Sequence, residues 1–242
     1  MPMTNHAWLR SGARMLSTCV GAAAIAYAAY AVATWYRYGR VRQATGPEQD
    51  DLLDRFLPAY DVFERHQIHV RAPADVTLVA AREQDLMHQP LIRTIFKTRE
   101  LVLRAIPDQR PRPRGLLAAT QALGWGVLAD VPDREVVVGA VTRPWEPNVT
   151  FRALPAAEFA TFSQPGFVKI AWTLRADPVD DETSIFRTET RAAATDATAR
   201  ARFRRYWALV SPGIALIRRL SLGPLKRDAE RRRTAARLSA TS

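Results

Sequence analysis

Cysteine is almost absent from this sequence of 242 residues, in which Cys19 is the single example. One thiol excludes a disulfide within these residues, and it excludes a zinc site built from several cysteines. Histidine is also scarce, with four examples, and His6 precedes a long uncharged run. His66 and His69 are three residues apart in an alternating segment, so in a strand they point to opposite faces. The sequence therefore predicts no metal ion and no cofactor.

Familiar catalytic and nucleotide-binding patterns are missing as well. The sequence contains no glycine-rich phosphate loop, no Ser-His-Asp signature and no metalloprotease helix. No sequence motif therefore indicates that the chain catalyses a reaction. Binding an apolar molecule needs only buried surface and a few polar groups. Binding is the simpler hypothesis for the function of this chain.

Acidic residues are too few to balance the basic ones. Lys and Arg total 35 against 24 Asp and Glu, which gives a formal net charge of +11. Such a field attracts anionic surfaces, either nucleic acid or the head groups of acidic lipids. No recognised nucleic-acid reader motif accompanies the charge, so nucleic acid is the less favoured partner of the two.

A run of 22 residues without a charge extends from Met15 to Tyr36, and eight of them are alanine. In a helix that rises about 1.5 Å per residue, this run spans about 33 Å, which is enough for a hydrocarbon core. Trp35 and Tyr36 at its end resemble an interfacial aromatic belt. The pattern predicts a transmembrane helix over 15–36, after a short N-terminal segment at 1–14.

The charges around this run bear on its orientation. Three arginines follow it within 37–42, whereas two precede it, at positions 10 and 14. Because arginine is enriched on the cytoplasmic side of membrane spans, we expect a single-pass membrane protein whose remaining domain lies in the cytoplasm. A cleaved signal peptide, with the small residues at 31–33 as its cleavage site, is the alternative.

Beyond a linker with a short helix at 37–59, the hydrophobic period changes repeatedly between two residues and about 3.6 residues. The period of two predicts strands over 61–71, 125–130, 135–142, 148–153, 167–175 and 182–193. Helical spacing predicts helices that begin at Asp75 and that cover 91–105, 155–162 and 198–222. Asp75 is placed to cap the helix that directly follows the first strand.

The last two predicted strands form the clearest hairpin. The face predicted to be buried carries Val168, Ile170, Trp172, Leu174, Phe186, Thr188 and Thr190. The other face carries the charged residues Lys169, Arg187, Glu189 and Arg191, which a cross-strand ladder in solvent explains most simply. If that face instead looks into a cavity, Glu189 becomes a desolvated base, or Arg191 becomes an anchor for an anionic ligand.

The C-terminal helix is amphipathic. Its apolar stripe consists of Phe203, Tyr206, Trp207, Val210, Ile214, Ile217 and Leu220. Proline at Pro212 removes a backbone donor, so a kink or two successive helices are expected there. After Gly223 and Pro224, the segment 223–242 is mostly charged and is predicted to be a basic tail, either solvated or lying on anionic lipid.

This order of elements resembles the START-like superfamily, also called SRPBCC, which includes polyketide cyclases and lipid-transfer domains. The residues that carry the resemblance, which is to a bacterial branch, are ERHQIHVRAPADVTLV at 64–79, Gly166 to Ile170, Thr188 to Arg191 and Arg205 to Trp207. The resemblance covers about 60–222 and lacks a diagnostic catalytic motif. It implies an α+β helix-grip fold, in which an antiparallel sheet wraps around the long C-terminal helix and encloses an apolar cavity.

Large aromatic and apolar residues are the candidates for lining that cavity. The predicted ligand-binding residues are Trp125, Val138, Trp145, Phe159, Phe162, Ile170, Trp172, Phe186, Thr188, Thr190, Phe203 and Trp207. The predicted polar site consists of Lys169, Glu189 and Arg191. No residue is predicted to be catalytic.

Three classes of function follow from these observations. The first is a membrane-tethered domain that binds or transports a lipid, an isoprenoid or a polyketide-like molecule. The second is a cyclase or hydrolase-like enzyme on the same fold, with Glu189 or a histidine as its base. The third is a basic protein that binds nucleic acid or an anionic membrane surface. The sequence leaves the oligomeric state and the identity of the ligand open.

Overall fold

The computed structural model of the chain describes residues 5–86, 92, 94, 97 and 113–240. The helix predicted over 91–105 lies outside the described residues, apart from residues 92, 94 and 97, which are helical. The described helices are α1 (Asn5–Arg37), α2 (Leu53–Phe56), α3 (Ala74–Glu83), α4 (Leu116–Ala122), α5 (Ala156–Thr161) and α6 (Ala197–Ala240). The described strands are β1 (Arg42–Gln43), β2 (Ala59–Tyr60), β3 (Val62–Val70), β4 (Gly126–Val131), β5 (Glu135–Thr142), β6 (Phe151–Arg152), β7 (Val168–Pro178) and β8 (Ser184–Ala194).

The main sheet is antiparallel and follows the order β3-β8-β7-β5-β4, with β6 paired to β5. Its centre is the β7–β8 hairpin, in which Trp172 lies opposite Thr190 and Ile170 lies opposite Ala192. The register also places Val138 opposite Trp172. Side chains of a strand alternate between faces, so these pairings put the predicted apolar row of the hairpin on a single face.

The long helix α6 covers that face, which we call the inner face, and the opposite side is the outer face. At one end, Phe203 and Trp207 of α6 pack with Val168 and Ala192 of the sheet. At the other end, Leu225 of α6 joins Trp172, Leu174 and Phe186 in a second apolar cluster. An antiparallel sheet that packs its apolar face on a long C-terminal helix is a helix-grip-like α+β architecture, as the order of elements predicted.

The outer face is covered too, by the short helices α2 and α5. Leu53, Phe56 and Leu57 contribute the α2 side of an apolar cluster whose sheet side includes Val137 and Ala171. Phe159 of α5 is fully buried between these elements, and its ring lies 6.5 Å from that of Phe56. Both faces of the sheet are therefore interior surfaces.

The segment 15–36, predicted to cross a membrane, lies inside α1. Among the residues that the structure describes, no helix is both long enough and apolar enough to cross a bilayer. Alanine explains the difference, because it supplies helix length with little apolar surface, and it makes up eight of these 22 residues. The predicted transmembrane helix is therefore not supported, while the predicted membrane location stays a prediction.

The end of α1 packs on α6. The Nε of Arg204 donates a hydrogen bond of 2.7 Å to the carbonyl of Trp35, and its guanidinium lies 4.2 Å from the centre of the Trp35 ring. Tyr38, one residue beyond α1, is 3% exposed and packs edge-on against Trp207. The chain before the first long strand therefore contributes a residue to the interior.

The predicted basic tail at 223–242 is wrong as a description of the chain up to Ala240. Helix α6 runs without a break from Ala197 to Ala240, with Pro212 and Pro224 inside it. Leu225 is 2% exposed and Ala229 is fully buried, because this part of α6 packs against α3 and the sheet. Tertiary packing therefore outweighs the tendency of Gly-Pro to end a helix.

Two smaller predictions also need correction. Asp75 does not cap α3, because Pro73 occupies the cap position and has no side-chain hydrogen bond there. The strand predicted over 148–153 is reduced to the two residues of β6. Pro144 and Pro147 lie in the connection from β5, where the chain forms turns instead of continuing the ladder.

Candidate ligand site between the sheet and the C-terminal helix

Aromatic and aliphatic side chains form both sides of the interface between the inner face and α6. Phe203 and Trp207 form the α6 wall, with ring centres 5.7 Å apart, and Tyr38 stands 6.3 Å from Trp207. Ile170 and Trp172 form the facing wall on β7. Aromatic walls of this kind are typical of sites that hold apolar molecules, and they are equally typical of a protein core.

An arginine crosses this apolar interface. Arg218 lies on α6, four residues after Ile214, and its Nη1 donates a hydrogen bond of 2.9 Å to the Thr188 hydroxyl. Its Nη2 donates to the hydroxyl of Thr190, on the same face of β8. Both threonines are nearly buried, with 5% and 4% of their surface exposed. A guanidinium is therefore held against the middle of the inner face.

A carboxylate and a histidine lie beside the threonines. Glu64 of β3 is directly opposite Thr190, and His66 is directly opposite Thr188. The His66 Nε2 is 3.8 Å from the Glu64 Oε2, and the Tyr38 hydroxyl donates a hydrogen bond to the Glu64 Oε1. We call this set the polar cluster, which consists of Tyr38, Glu64, His66, Thr188, Thr190 and Arg218.

Burial changes the protonation behaviour of the polar cluster. It lowers the pKa of Arg218 to about 10, although the negative charge of Glu64 acts in the opposite direction. Burial also lowers the pKa of His66, with help from the positive charge of Arg218, so the imidazole is neutral at pH 7. The pKa of Tyr38 is raised, first by burial and then by the Glu64 carboxylate. The cluster thus combines one guanidinium with one carboxyl group at an interface whose other residues are mostly apolar.

Several buried polar atoms in this interface have no hydrogen-bonding partner among the described residues. They are the His66 Nε2, the Trp207 Nε1, the Ser211 Oγ and the Arg218 Nε. Trp207, Ser211 and Arg218 are separated by four and seven residues, which places them along one side of α6. Three further unpaired atoms of the described residues, the Glu135 Oε1, the Thr173 Oγ1 and the Arg187 Nε, lie on the outer face. Buried polar groups are normally paired, so the four atoms at the α6 interface are available to bind a polar group of another molecule.

The structure brings most of the predicted ligand-binding residues to this interface. Val138, Ile170, Trp172, Phe186, Thr188 and Thr190 lie on the inner face, and Phe203 and Trp207 face them from α6. Trp125 packs near Trp172, with 6.3 Å between their rings, and Trp145 packs on the cluster that contains Phe203. Whether these ten residues bind a ligand stays a prediction.

Phe159 and Phe162 do not join this group. Both belong to the apolar cluster on the outer face, beneath α2 and α5. Their spacing gave no indication of which face they would cover, because a helix that follows a sheet can pack on either side of it. They are therefore separated from the polar cluster by the full thickness of the sheet.

The predicted polar site also lies on the outer face. Lys169 donates hydrogen bonds of 3.2 and 2.9 Å to the carbonyls of Phe159 and Ala160 at the end of α5. Glu189 and Arg191 are fully buried and bonded to each other at 2.8 Å. The expected solvent-exposed ladder is therefore wrong, because α2 and the chain around it cover these charges.

Glu189 is poorly placed to act as a base. Its Oε2 accepts a hydrogen bond of 2.6 Å from Arg65, while its Oε1 accepts the bond from Arg191. Burial raises the pKa of Glu189, whereas the two guanidiniums oppose that shift. A carboxylate held by two arginines on the side of the sheet away from α6 is a structural group, so its position does not favour the catalytic reading.

A second buried ionic group adjoins this one. Asp50 lies 3.2 Å from the Arg175 Nη1 and 3.7 Å from the Arg187 Nη2, and Glu135 lies 3.6 Å from the same Arg175 nitrogen. Asp177 bonds the Arg175 Nε at 2.7 Å. Carboxylates and arginines therefore alternate across β5, β7 and β8 beneath the segment that leads into α2.

The residues with the most distinctive chemistry were not singled out by their sequence pattern. Arg218 occupies a position of the α6 stripe, one turn after Ile214, where an apolar residue is expected. Ser211 interrupts the same stripe about two turns before Arg218. A polar residue at a core position of an amphipathic helix is a usable signal, and here it would have identified both.

Few features of the described residues favour a metal ion or nucleic acid as the partner. Among them, no group of three or more His, Cys, Asp or Glu side chains could hold a metal ion. Basic residues near the end of α6 are engaged with acidic neighbours, such as Arg232 with Glu83 at 2.8 Å and Arg233 with Glu182 at 3.0 Å. Such pairing reduces the positive surface that nucleic acid would contact.

Comparisons with known proteins give only distant likenesses. No protein-family model matches the chain, and no curated protein sequence matches it. Solved structures that resemble it include a hypothetical protein from Helicobacter pylori, with 8% identity and a TM-score of 0.29, covering 72% of this chain and 99% of that one.

Two further likenesses are to proteins with cyclase names. The ZhuI aromatase/cyclase from a Streptomyces species has 14% identity and a TM-score of 0.22, covering 71% of this chain and 94% of that one. The di-domain ARO/CYC protein BexL has 18% identity and a TM-score of 0.25, covering 70% of this chain and 46% of that one. These scores are too low to carry an argument, so the helix-grip description rests on the strand order and the position of α6.

Proposed function

We propose that this chain binds a hydrophobic small molecule, of the lipid, isoprenoid or polyketide-like kind, between the inner face and α6. The observation that carries the proposal is the set of unpaired polar atoms in an otherwise apolar interface, His66 Nε2, Trp207 Nε1 and Arg218 Nε among them. Apolar walls supply roughly 25 cal/mol for each Å² that a ligand buries. A few polar groups among such walls then fix the ligand's orientation.

The middle of α6 is the part of this interface at which we propose that a ligand enters. Pro212 lies inside α6 and removes one of its backbone hydrogen bonds, and Ser211 beside it is buried with an unpaired hydroxyl. A helix segment with fewer internal bonds opens at a lower free energy than a regular one. We therefore place the entry of the ligand at the middle of α6.

Binding of N-phenyl-1-naphthylamine, a neutral dye that fluoresces in apolar surroundings, tests the proposal on the full chain. We expect saturable binding with a micromolar dissociation constant. The variant Ser211→Phe fills the interface from the α6 side, because Ser211 is 1% exposed, and should weaken the dye at least about tenfold. Leu209→Phe, at a position 60% exposed on the same helix, is the matched control and should bind the dye as the wild type does.

Ile170→Trp blocks the same space from the sheet side and replaces Ser211→Phe if that variant does not fold. Saturable binding that is lost in either blocking variant and kept in Leu209→Phe supports the site. Absence of saturable binding in the wild-type chain would refute it, as would equal weakening by the control variant.

Acid-base catalysis at His66 is a second candidate function. Burial lowers the pKa of His66, its Nε2 is buried without a hydrogen-bonding partner among the described residues, and Glu64 lies 3.8 Å from that nitrogen, so an imidazole and a carboxyl group are available at one place for proton transfer. Hydrolysis of p-nitrophenyl butyrate is the simplest assay for the hydrolase-like alternative. We expect any such turnover to fall at least about tenfold in His66→Ala and to persist in His69→Ala, since His69 is exposed and faces away from α6. Equal rates in the two variants would remove this candidate.

A further inference from the structure

We infer that the ligand of the inner face carries a single carboxylate and that the Arg218 guanidinium binds it. This inference rests on the proposed function and specifies the class of molecule that the interface accepts. The argument begins with the partners of Arg218, which are two neutral hydroxyls on β8. Within the described residues, Arg218 forms no salt bridge with N–O separation of 4 Å or less.

Arg218 is partly buried and its Nε is fully buried, so desolvation penalises its charge unless an anion is paired with it. Glu64 is the nearest source of negative charge and stabilises the charged form, but one of its oxygens is engaged by the Tyr38 hydroxyl. The Arg218 Nε remains buried without a partner. The interface thus lacks an acceptor at this guanidinium, and a ligand oxygen would supply it.

The threonines provide further donors at the same place. The Thr188 and Thr190 hydroxyls each accept a hydrogen bond from Arg218, and a hydroxyl that accepts can still donate its own hydrogen. A group that accepts from the Arg218 Nε and from two hydroxyls needs several lone pairs in a small volume. A carboxylate has about four such sites on two oxygens.

Among anionic groups, the charge balance of the polar cluster favours a singly charged group over a doubly charged one. Arg218 contributes one positive charge, and Glu64 contributes one negative charge to the same interior. Arg219, whose charge also reaches His66, is exposed on α6. A dianion such as a phosphate monoester would leave two uncompensated negative charges beside apolar walls, whereas a carboxylate leaves one. The apolar walls then accommodate the hydrocarbon part of the same molecule.

The test compares cis-parinaric acid with its methyl ester, two fluorescent probes that share an apolar chain and differ in the carboxylate. We expect the wild-type chain to bind the acid at least about tenfold more tightly than the ester. Arg218→Met should bind both probes alike, because it keeps much of the side-chain volume and removes the charge. The control Arg219→Met removes a neighbouring exposed charge and should keep the preference for the acid.

The outcomes separate this inference from the function on which it rests. If N-phenyl-1-naphthylamine binds but the acid and the ester bind the wild type equally, the carboxylate is overturned and the apolar site stands. If none of the three probes binds, both are overturned. A preference for the acid that survives in Arg218→Met also overturns the assignment, whatever Arg219→Met shows. The wild-type comparison decides the question even if Arg218→Met does not fold.

Discussion

Replacing Arg191 by methionine should destabilise the fold by about 3–5 kcal/mol, because it removes one partner of a buried ion pair and leaves the other uncompensated. Arg191 is fully buried and bonds the Glu189 Oε1 at 2.8 Å. It also donates to Asp54, to the carbonyl of Leu57 at 3.0 Å and to the carbonyl of Glu48 at 2.8 Å. The Arg191 side chain therefore holds the segments before and after α2 against the sheet through hydrogen bonds.

Urea unfolding followed by circular dichroism measures this effect. The matched control is Arg231→Met, which removes an exposed pair with Asp228 on α6, where the arginine side chain is 69% exposed. Exposed pairs of this kind contribute roughly 0–1 kcal/mol, so the control should unfold close to the wild type. A loss below about 1 kcal/mol in Arg191→Met, with an unchanged dependence on urea, would contradict the role of Arg191.

The strands were the most predictable part of this fold. Alternation of apolar and polar residues depends only on the pleat of the backbone, so it survives in any sheet that buries one side. The limits predicted for β5, 135–142, agree with the structure, and the predicted apolar face of the β7–β8 hairpin is the inner face. The local sequence pattern was sufficient to predict these strands because the alternation of apolar residues and the pleat of a strand have the same period.

Burial of the opposite face could not be predicted in this way. Arg187, Glu189 and Arg191 repeat with a period of two, as side chains of a solvated strand do. Their burial depends on α2, which lies more than 130 residues earlier in the chain. The sequence of β8 itself does not indicate that α2 packs against this strand. These charged residues can be buried because carboxylates and backbone carbonyls from another segment of the chain bind their guanidinium groups.

The limits of α6 illustrate the same principle at a helix. Gly223 and Pro224 are typical of a helix end, and they predicted a tail beyond it. The structure continues the helix because Leu225 and Ala229 bury apolar surface against α3 and the sheet. The aromatic residues and the two threonines of the candidate site were predicted because they follow the core pattern, whereas Arg218 departs from it.

Glu135 should make the folded state less stable as the pH rises from about 4.5 to about 8. Burial raises the pKa of this carboxyl to about 7, with the negative charge of Asp50 acting in the same direction and Arg175, Arg187 and Arg134 opposing it. Glu135 is 1% exposed, and its Oε1 has no hydrogen-bonding partner among the described residues. The folded state therefore favours the protonated form more strongly than the unfolded chain does.

The sign of the effect follows from the two pKa values. The unfolded chain loses the Glu135 proton near the ordinary value of 4.5, whereas the folded state keeps it until about 7, so the stabilisation is complete below pH 4.5 and is lost as the pH rises through 7. A difference of this size corresponds to about 3 kcal/mol in the free energy of unfolding. Glu135→Gln keeps the shape of the protonated side chain and should flatten this part of the pH profile in urea unfolding, while Glu146→Gln, at a side chain 46% exposed, should leave it unchanged. Parallel pH profiles for Glu135→Gln and the wild type would mean that Glu135 is ionised in the folded state, and that the arginines around Asp50 outweigh its burial.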